Sequence, residues 1–118
     1  MDEQDAAGIT GFVAVGGCRD EDAPSRTGEV HAIYVDPAHW GRGAGSRLLS
    51  AGLDLLAAAG HRRATLWVLE SNHRTRTFYE DRGWSADGGA RSERRGDVTL
   101  FELRYARPLS ATRGTPDE

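Results

Sequence analysis

The stretch that decides the fold is "GEVHAIYVDPAHWGRGAGSRLLSAGLDLLAAAGHRRATLWVL", Gly28 to Leu69. Its first part, Glu29 to Val35, reads as a strand closed by Asp36-Pro37, because proline cannot continue a ladder. Val30 and the pair Ile33 and Val35 cannot share a face under strict alternation. A bulge between them would reconcile the pattern, and bulges re-aim strands near active sites. From Ser46 to Ala59 the pattern turns helical. Leu48, Leu49, Leu55, Leu56 and Ala59 cover one face, Arg47, Ser50 and Asp54 fall on the other, and Gly60 is the expected stop. "ATLWVL", Ala64 to Leu69, is apolar on both faces, as a central parallel strand is. Strand, helix and strand make a βαβ unit with a right-handed crossover.

Working outward, "GFVAVG", Gly11 to Gly16, reads as a short strand, and "CRDEDAPSRTG" as the loop after it. Past the βαβ unit, a short helix is expected from His73 to Arg82, capped by Ser71 or Asn72 and stopped by Gly83. A hairpin follows: a weak strand after Trp84, a Gly/Arg-rich turn holding Arg94 and Arg95, then "VTLFELRY". In that last strand Phe101, Leu103 and Tyr105 are expected to alternate inward, with Trp67 and Trp84 as core anchors. The folded domain is expected to span residues 1–109. Residues 110–118 form a polar tail expected to be disordered.

Composition narrows the class. The chain has 118 residues, 38% hydrophobic and 28% charged, enough for one globular domain with its own core. A net charge of -3 gives no case for nucleic acid as a partner. All basic residues are arginine, so local Arg clusters carry little functional weight. Cys18 is the only cysteine, so neither an intrachain disulfide nor a cysteine metal cluster is available. His39, His61 and His73 lack metal-ligand spacing and are expected at the surface, and no metal is expected. The start "MDEQDAAG" resembles no signal or transit peptide, and no apolar run approaches spanning length. The expectation is a cytoplasmic protein that does not enter a membrane.

The glycine loop carries the chemistry. Gly41, Gly43 and Gly45 lie between a strand end and a helix start, where free N–H groups and the helix dipole favour an anion. Successive N–H groups suit a diphosphate, and Arg42 could add a charge-assisted bond. The bland alternative is a tight turn that binds nothing. A dinucleotide fingerprint fails, because the sixth position counted from Gly41 is Ser46 and from Gly43 is Leu48. A P-loop fails for want of a lysine. What the loop does resemble is the acyl-CoA signature of the GNAT N-acetyltransferases, Gln/Arg-x-x-Gly-x-Gly/Ala, with Trp40 at the usual Gln or Arg position. "ATLWVLESNHRTRTFYEDRGW" resembles the same family's next strand and helix, with its Asn, Phe-Tyr and Gly-aromatic ending. Together with the final hairpin, the resemblance covers Gly11 to Pro108.

The resemblance implies an α/β (α+β) protein with the acyl-CoA N-acyltransferase fold. That is a mixed twisted sheet with a central βαβ unit and splayed strands, here without the family's usual first strand and first two helices. It implies acetyl-CoA as acyl donor and an amine, of a small molecule or a protein, as acceptor. The backbone of Ile33, Tyr34 and Val35 would pair with the pantetheine arm. Trp40, Gly41, Arg42, Gly43, Ala44, Gly45 and Ser46 would cradle the diphosphate. Asn72 and Tyr79 are two helical turns apart and share a face. That face would meet the thioester, with Tyr79 as the acid that protonates the departing thiolate. Glu29 stands where the family's histone acetyltransferases carry their base, and His31 is the next candidate. The implied function is direct acetyl transfer to a primary amine within a ternary complex. The alternative is a catalytically incomplete acyl-CoA-binding module. A late start codon or a partner would account for the missing elements, and a homo-oligomer is left open.

Overall fold

The computed structural model describes residues 10–109, so the first nine residues and the expected polar tail lie outside the described part. Strand β1 (Gly11–Gly17) leads by the loop at residues 18–26 into β2 (Thr27–Val35). A 3-10 turn (Pro37–His39) and the glycine loop then deliver helix α1 (Ala44–Ala58). Strand β3 (Arg63–Leu69), helix α2 (His73–Glu80) and the hairpin of β4 (Ser85–Arg95) and β5 (Val98–Pro108) complete the order. The five strands form one mixed sheet in the order β1-β2-β3-β5-β4.

The expected bulge is present. Ala14 pairs with Ala32 and the next residue, Val15, pairs with Val30, so His31 is the extra residue on β2. The bulge flips the strand's period once, which lets Val30 and Ile33 both pack on the core. The parallel pairing of β2 with β3 is short. It joins Thr27, Gly28 and Glu29 to Arg63, Ala64 and Thr65 and then stops. Meanwhile β3 stays paired with β5 along its whole length. Beyond Glu29 and Thr65, β2 and β3 therefore part and leave a slot in the sheet.

One face of the sheet is packed. Val30, Leu66, Val68 and Tyr105 meet Leu49 and Leu56 of α1, Tyr79 of α2, and Trp84. Gly52 lets α1 approach β1 closely, since a Cβ there would come 3.0 Å from Val15 and 3.1 Å from Val13. The opposite face is held by polar contacts. The Arg104 guanidinium bonds Asp20 at 3.1 Å and Asp22 at 2.8 Å, latching the β1–β2 loop, and it also bonds Asp87. Beneath that loop Thr27, Glu29 and Thr65 are buried.

Several expectations need correction. Helix α1 starts at Ala44, two residues early, because Gly43 itself serves as the N-cap. Leu55 and Ala59 face solvent, since the buried stripe of α1 runs through Leu49, Gly52 and Leu56. Phe101 is 57% exposed. The β3 ladder ends at the Leu69–Glu102 pair, so Phe101, paired with Ser92 of β4 and bonded through its carbonyl to the Glu70 N–H, lies past the packed region. Trp67 is half-buried on the polar face, with the Arg91 guanidinium 4.2 Å from its ring centroid, so only Trp84 is a core anchor. Arg94 and Arg95 end β4 in place of occupying a loop. His61 is half-buried, its ring 3.2 Å from where a Cβ on Gly28 would stand.

Candidate active site

The glycine loop folds as a left-handed turn into a helix start. Gly41 and Gly43 have φ of 80° and 79°, a region that L side chains adopt only at a cost. Gly43 caps α1 without a side-chain hydrogen bond. The first N–H groups of a 15-residue helix are thus left to whatever lies outside it. They open onto a groove of about 820 Å³. Trp40, Gly41, Gly43, Ala44, Gly45 and Ser46 form one wall, and Asn72, Arg74, Thr75, Phe78, Tyr79 and Arg82 form the other. Ile33 and Val35 make the floor. Trp40 is pinned there by its indole N–H, which donates to the Val35 carbonyl at 2.8 Å.

A second, smaller cleft of about 250 Å³ occupies the slot between the parted strands. His31, Trp67 and Glu102 line it, and it shares Ile33, Asn72, Thr75 and Tyr79 with the groove. Two openings therefore meet at one spot, beside Tyr79. Tyr79 is buried among Phe78 and Trp84, with ring centroids 5.4 Å and 5.9 Å away. Burial pushes its phenol above the usual value of 10.0, so it stays protonated well past neutrality. Tyr105 is the contrast. Its hydroxyl donates to Glu80 at 2.6 Å and accepts from Arg76 at 3.0 Å, which makes it a structural group.

Most of the expected site residues are brought together. Ile33, Val35, Trp40, Gly41, Gly43, Ala44, Gly45, Ser46, Asn72 and Tyr79 all line the groove. Asn72 caps α2 as well, its Oδ1 accepting from the Thr75 N–H at 3.2 Å. Three expected residues stand apart. Arg42 is exposed and does not line the groove, and its carbonyl accepts from Arg47 at 3.0 Å. The Tyr34 side chain turns to the polar face against Phe12, with ring centroids 5.8 Å apart, while the role expected of Tyr34 belongs to its backbone. Glu29 is buried and lines neither opening. Its Oε1 accepts from the Arg19 N–H at 3.1 Å, and its Oε2 lies 3.6 Å from His31 Nδ1.

Sequence reasoning missed His39, Arg74, Thr75, Phe78 and Arg82 in the groove. A signal was there: Arg74, Phe78 and Arg82 recur every four residues, which is one helical face. Cys18, Asp20 and Glu29 also place a sulfur and two carboxylates within 4.8 Å of one another, with Arg104 already on Asp20. Among the described residues no helix is long and apolar enough to cross a membrane.

Comparison with known proteins gives a consistent result. The profile of the acetyltransferase (GNAT) family matches residues 2–84. A mycothiol acetyltransferase of Beutenbergia cavernae is 42% identical over 59 residues, 50% of this chain and 20% of that protein. An uncharacterized N-acetyltransferase of Archaeoglobus fulgidus is 34% identical over 70 residues, 58% of this chain and 48% of that protein. Among solved structures, an N-acetyltransferase from Staphylococcus aureus Mu50 superposes with a TM-score of 0.73 at 25% identity, covering 86% of this chain and 62% of that one. The Salmonella typhimurium protein yncA, solved with its cofactor acetyl-CoA, superposes with a TM-score of 0.72 at 23% identity, covering 92% and 62%. The chain thus spans a fifth to a half of the length of these curated relatives.

Proposed function

The chain belongs to the acetyltransferase (GNAT) family, and from that premise we propose that it moves an acetyl group from acetyl-CoA to a primary amine by direct transfer. The observation that carries this reading is the meeting of two openings beside one buried phenol. The groove offers a diphosphate the uncapped N–H groups of α1. The cleft gives a second reactant its own approach. Holding both at one spot supplies much of the rate by orientation alone.

The amine arrives as an ammonium and gives up one proton before attack. His31 lines the cleft with Glu29 behind its Nδ1, so this pair receives that proton and passes it to solvent. The free amine attacks the thioester carbon, and the C–S bond then breaks. Tyr79 protonates the departing sulfur, and the second proton lost by nitrogen restores the phenol through solvent. The raised phenol keeps this acid loaded at neutral pH and moves its loss above pH 10.0.

Acetyl-CoA at saturating concentration should raise the melting temperature, and no shift would remove the donor site. Release of free CoA is then measured against spermidine, an alanine-terminated peptide, a lysine peptide and an aminoglycoside. Acetylation of one of them supports transfer. Binding without acetylation of any would leave an acyl-CoA-binding module. Tyr79→Phe should lower turnover about 100-fold with little change in acetyl-CoA affinity, and should abolish the alkaline fall in rate.

A further inference from the structure

The groove is electrically one-sided. Arg74 and Arg82 line it, and no carboxylate does, in a chain that carries 18 acidic residues against 15 basic ones. The loop's own arginine, Arg42, is outside it. The two groove arginines come from the opposite wall, on and just after α2.

Arg82 is held in place before any ligand arrives. Its guanidinium carbon lies 3.9 Å from the Phe78 ring centroid. Its Nε donates to Ser46 Oγ at 3.3 Å and its Nη1 to the Phe78 carbonyl at 2.9 Å. Among the described residues Nη2 makes no hydrogen bond. An arginine fixed at three points, with donors to spare, loses little side-chain entropy on binding an oxyanion. Ser46 belongs to the first turn of α1, so the bond to it sets this guanidinium beside the uncapped N–H groups. Arg74 is exposed and, among the described residues, its side chain makes no ion pair or hydrogen bond. It stands eight residues before Arg82, on α2 itself, whereas Arg82 follows the helix end at Glu80.

We propose that Arg82 is the side-chain ligand of the donor's diphosphate, and that Arg74 reads a second phosphate, the one on the ribose 3′ position of CoA. This rests on the reading of the groove as an acetyl-CoA site. Two anionic groups separated by a ribose meet two cations on one face, and the division of labour makes the groove selective for the 3′-phosphorylated donor. Arg82 acts on every donor that carries a diphosphate. Arg74 acts only on those that carry the third phosphate.

The test is calorimetric titration of the full chain with acetyl-CoA and with acetyl-dephospho-CoA, at low and high salt. Wild type should prefer acetyl-CoA by about tenfold or more, the worth of one charge-assisted bond. Arg74→Met should erase that preference by weakening acetyl-CoA alone. Arg82→Met should weaken both ligands about 10- to 100-fold and leave their ratio unchanged, with Arg82→Lys recovering part of the affinity. Both losses should shrink in high salt. Equal affinity of wild type for the two ligands, or an Arg74→Met protein that keeps its preference, overturns the assignment of Arg74. An Arg82→Met protein that keeps its melting temperature and binds both ligands as wild type overturns that of Arg82. Failure of wild type to bind either ligand overturns the donor-site reading itself.

Discussion

The two faces of the sheet are built on different physics. The packed face excludes water with large apolar side chains, Trp84 and Tyr105 among the most buried. The polar face buries Thr27, Glu29 and Thr65 beneath a loop whose Asp20 and Asp22 are tied to Arg104, which also holds Asp87 of β4. Apolar burial is non-directional and offers no charge for salt to screen or acid to titrate. A charge latch is directional and depends on both. The slot between β2 and β3 opens where the two regimes meet, so the candidate site has a rigid wall behind Tyr79 and a polar approach past His31.

Removing the centre of the packed face should have the largest effect. Trp84→Ala deletes the anchor that Tyr79 and the sheet share and leaves a cavity, which costs about 3–5 kcal/mol. Urea unfolding should show a much lower midpoint with an unchanged slope. A change below about 1 kcal/mol would mean that the packed face is not the source of stability.

Cutting the latch should cost less and should depend on conditions. Arg104→Met removes charged hydrogen bonds, leaves Asp20 and Asp22 without their cation and leaves Asp87 with Arg63 alone, for about 2 kcal/mol. The hydrogen bond from Arg104 holds the Asp22 carboxyl below its ordinary 3.8. A carboxyl with a lowered value stabilises the fold fully above its unfolded value and loses that contribution as pH falls through the folded one. The loop should therefore loosen in wild type only below about pH 4, seen as faster amide exchange at residues 18–26 while α1 stays protected. In Arg104→Met the same loosening should be present at neutral pH. A loop equally protected in both proteins would dissolve the contrast between the faces.

How much of this could be read in the sequence depends on the same contrast. The packed face was legible, because apolar periodicity reports which side of an element meets the core. The shift in period between Val30 and Ile33 even located the bulge. The loop was legible because Gly41 and Gly43 sit at positions that require positive φ. Residues that act through long polar side chains were not. Arg42 neighbours the glycines in sequence, yet the groove takes Arg74 from α2 and Arg82 from the turn just after it, more than 30 residues further on. Glu29 was found as a carboxylate in the right strand, but only the fold reveals that it stands behind His31. Trp67 alternates correctly for a strand buried on both faces, but the second face turned out to be polar and only partly covered.

Phe101 gives the finest test of where the packed face ends. It continues the parity of Leu103 and Tyr105, and Tyr105 is fully buried while Leu103 is only partly so. The ladder of β3 stops at Glu102, and past it the Glu70 N–H donates to the Phe101 carbonyl at 2.8 Å, so the Phe101 ring lies beyond the last ladder pair. At 57% exposure, Phe101→Ser removes little apolar surface from contact and should change stability by less than about 0.5 kcal/mol. A loss of 2 kcal/mol or more in urea unfolding would place Phe101 inside the core. The boundary of the packed face would then lie further out along the hairpin than the β3 ladder allows.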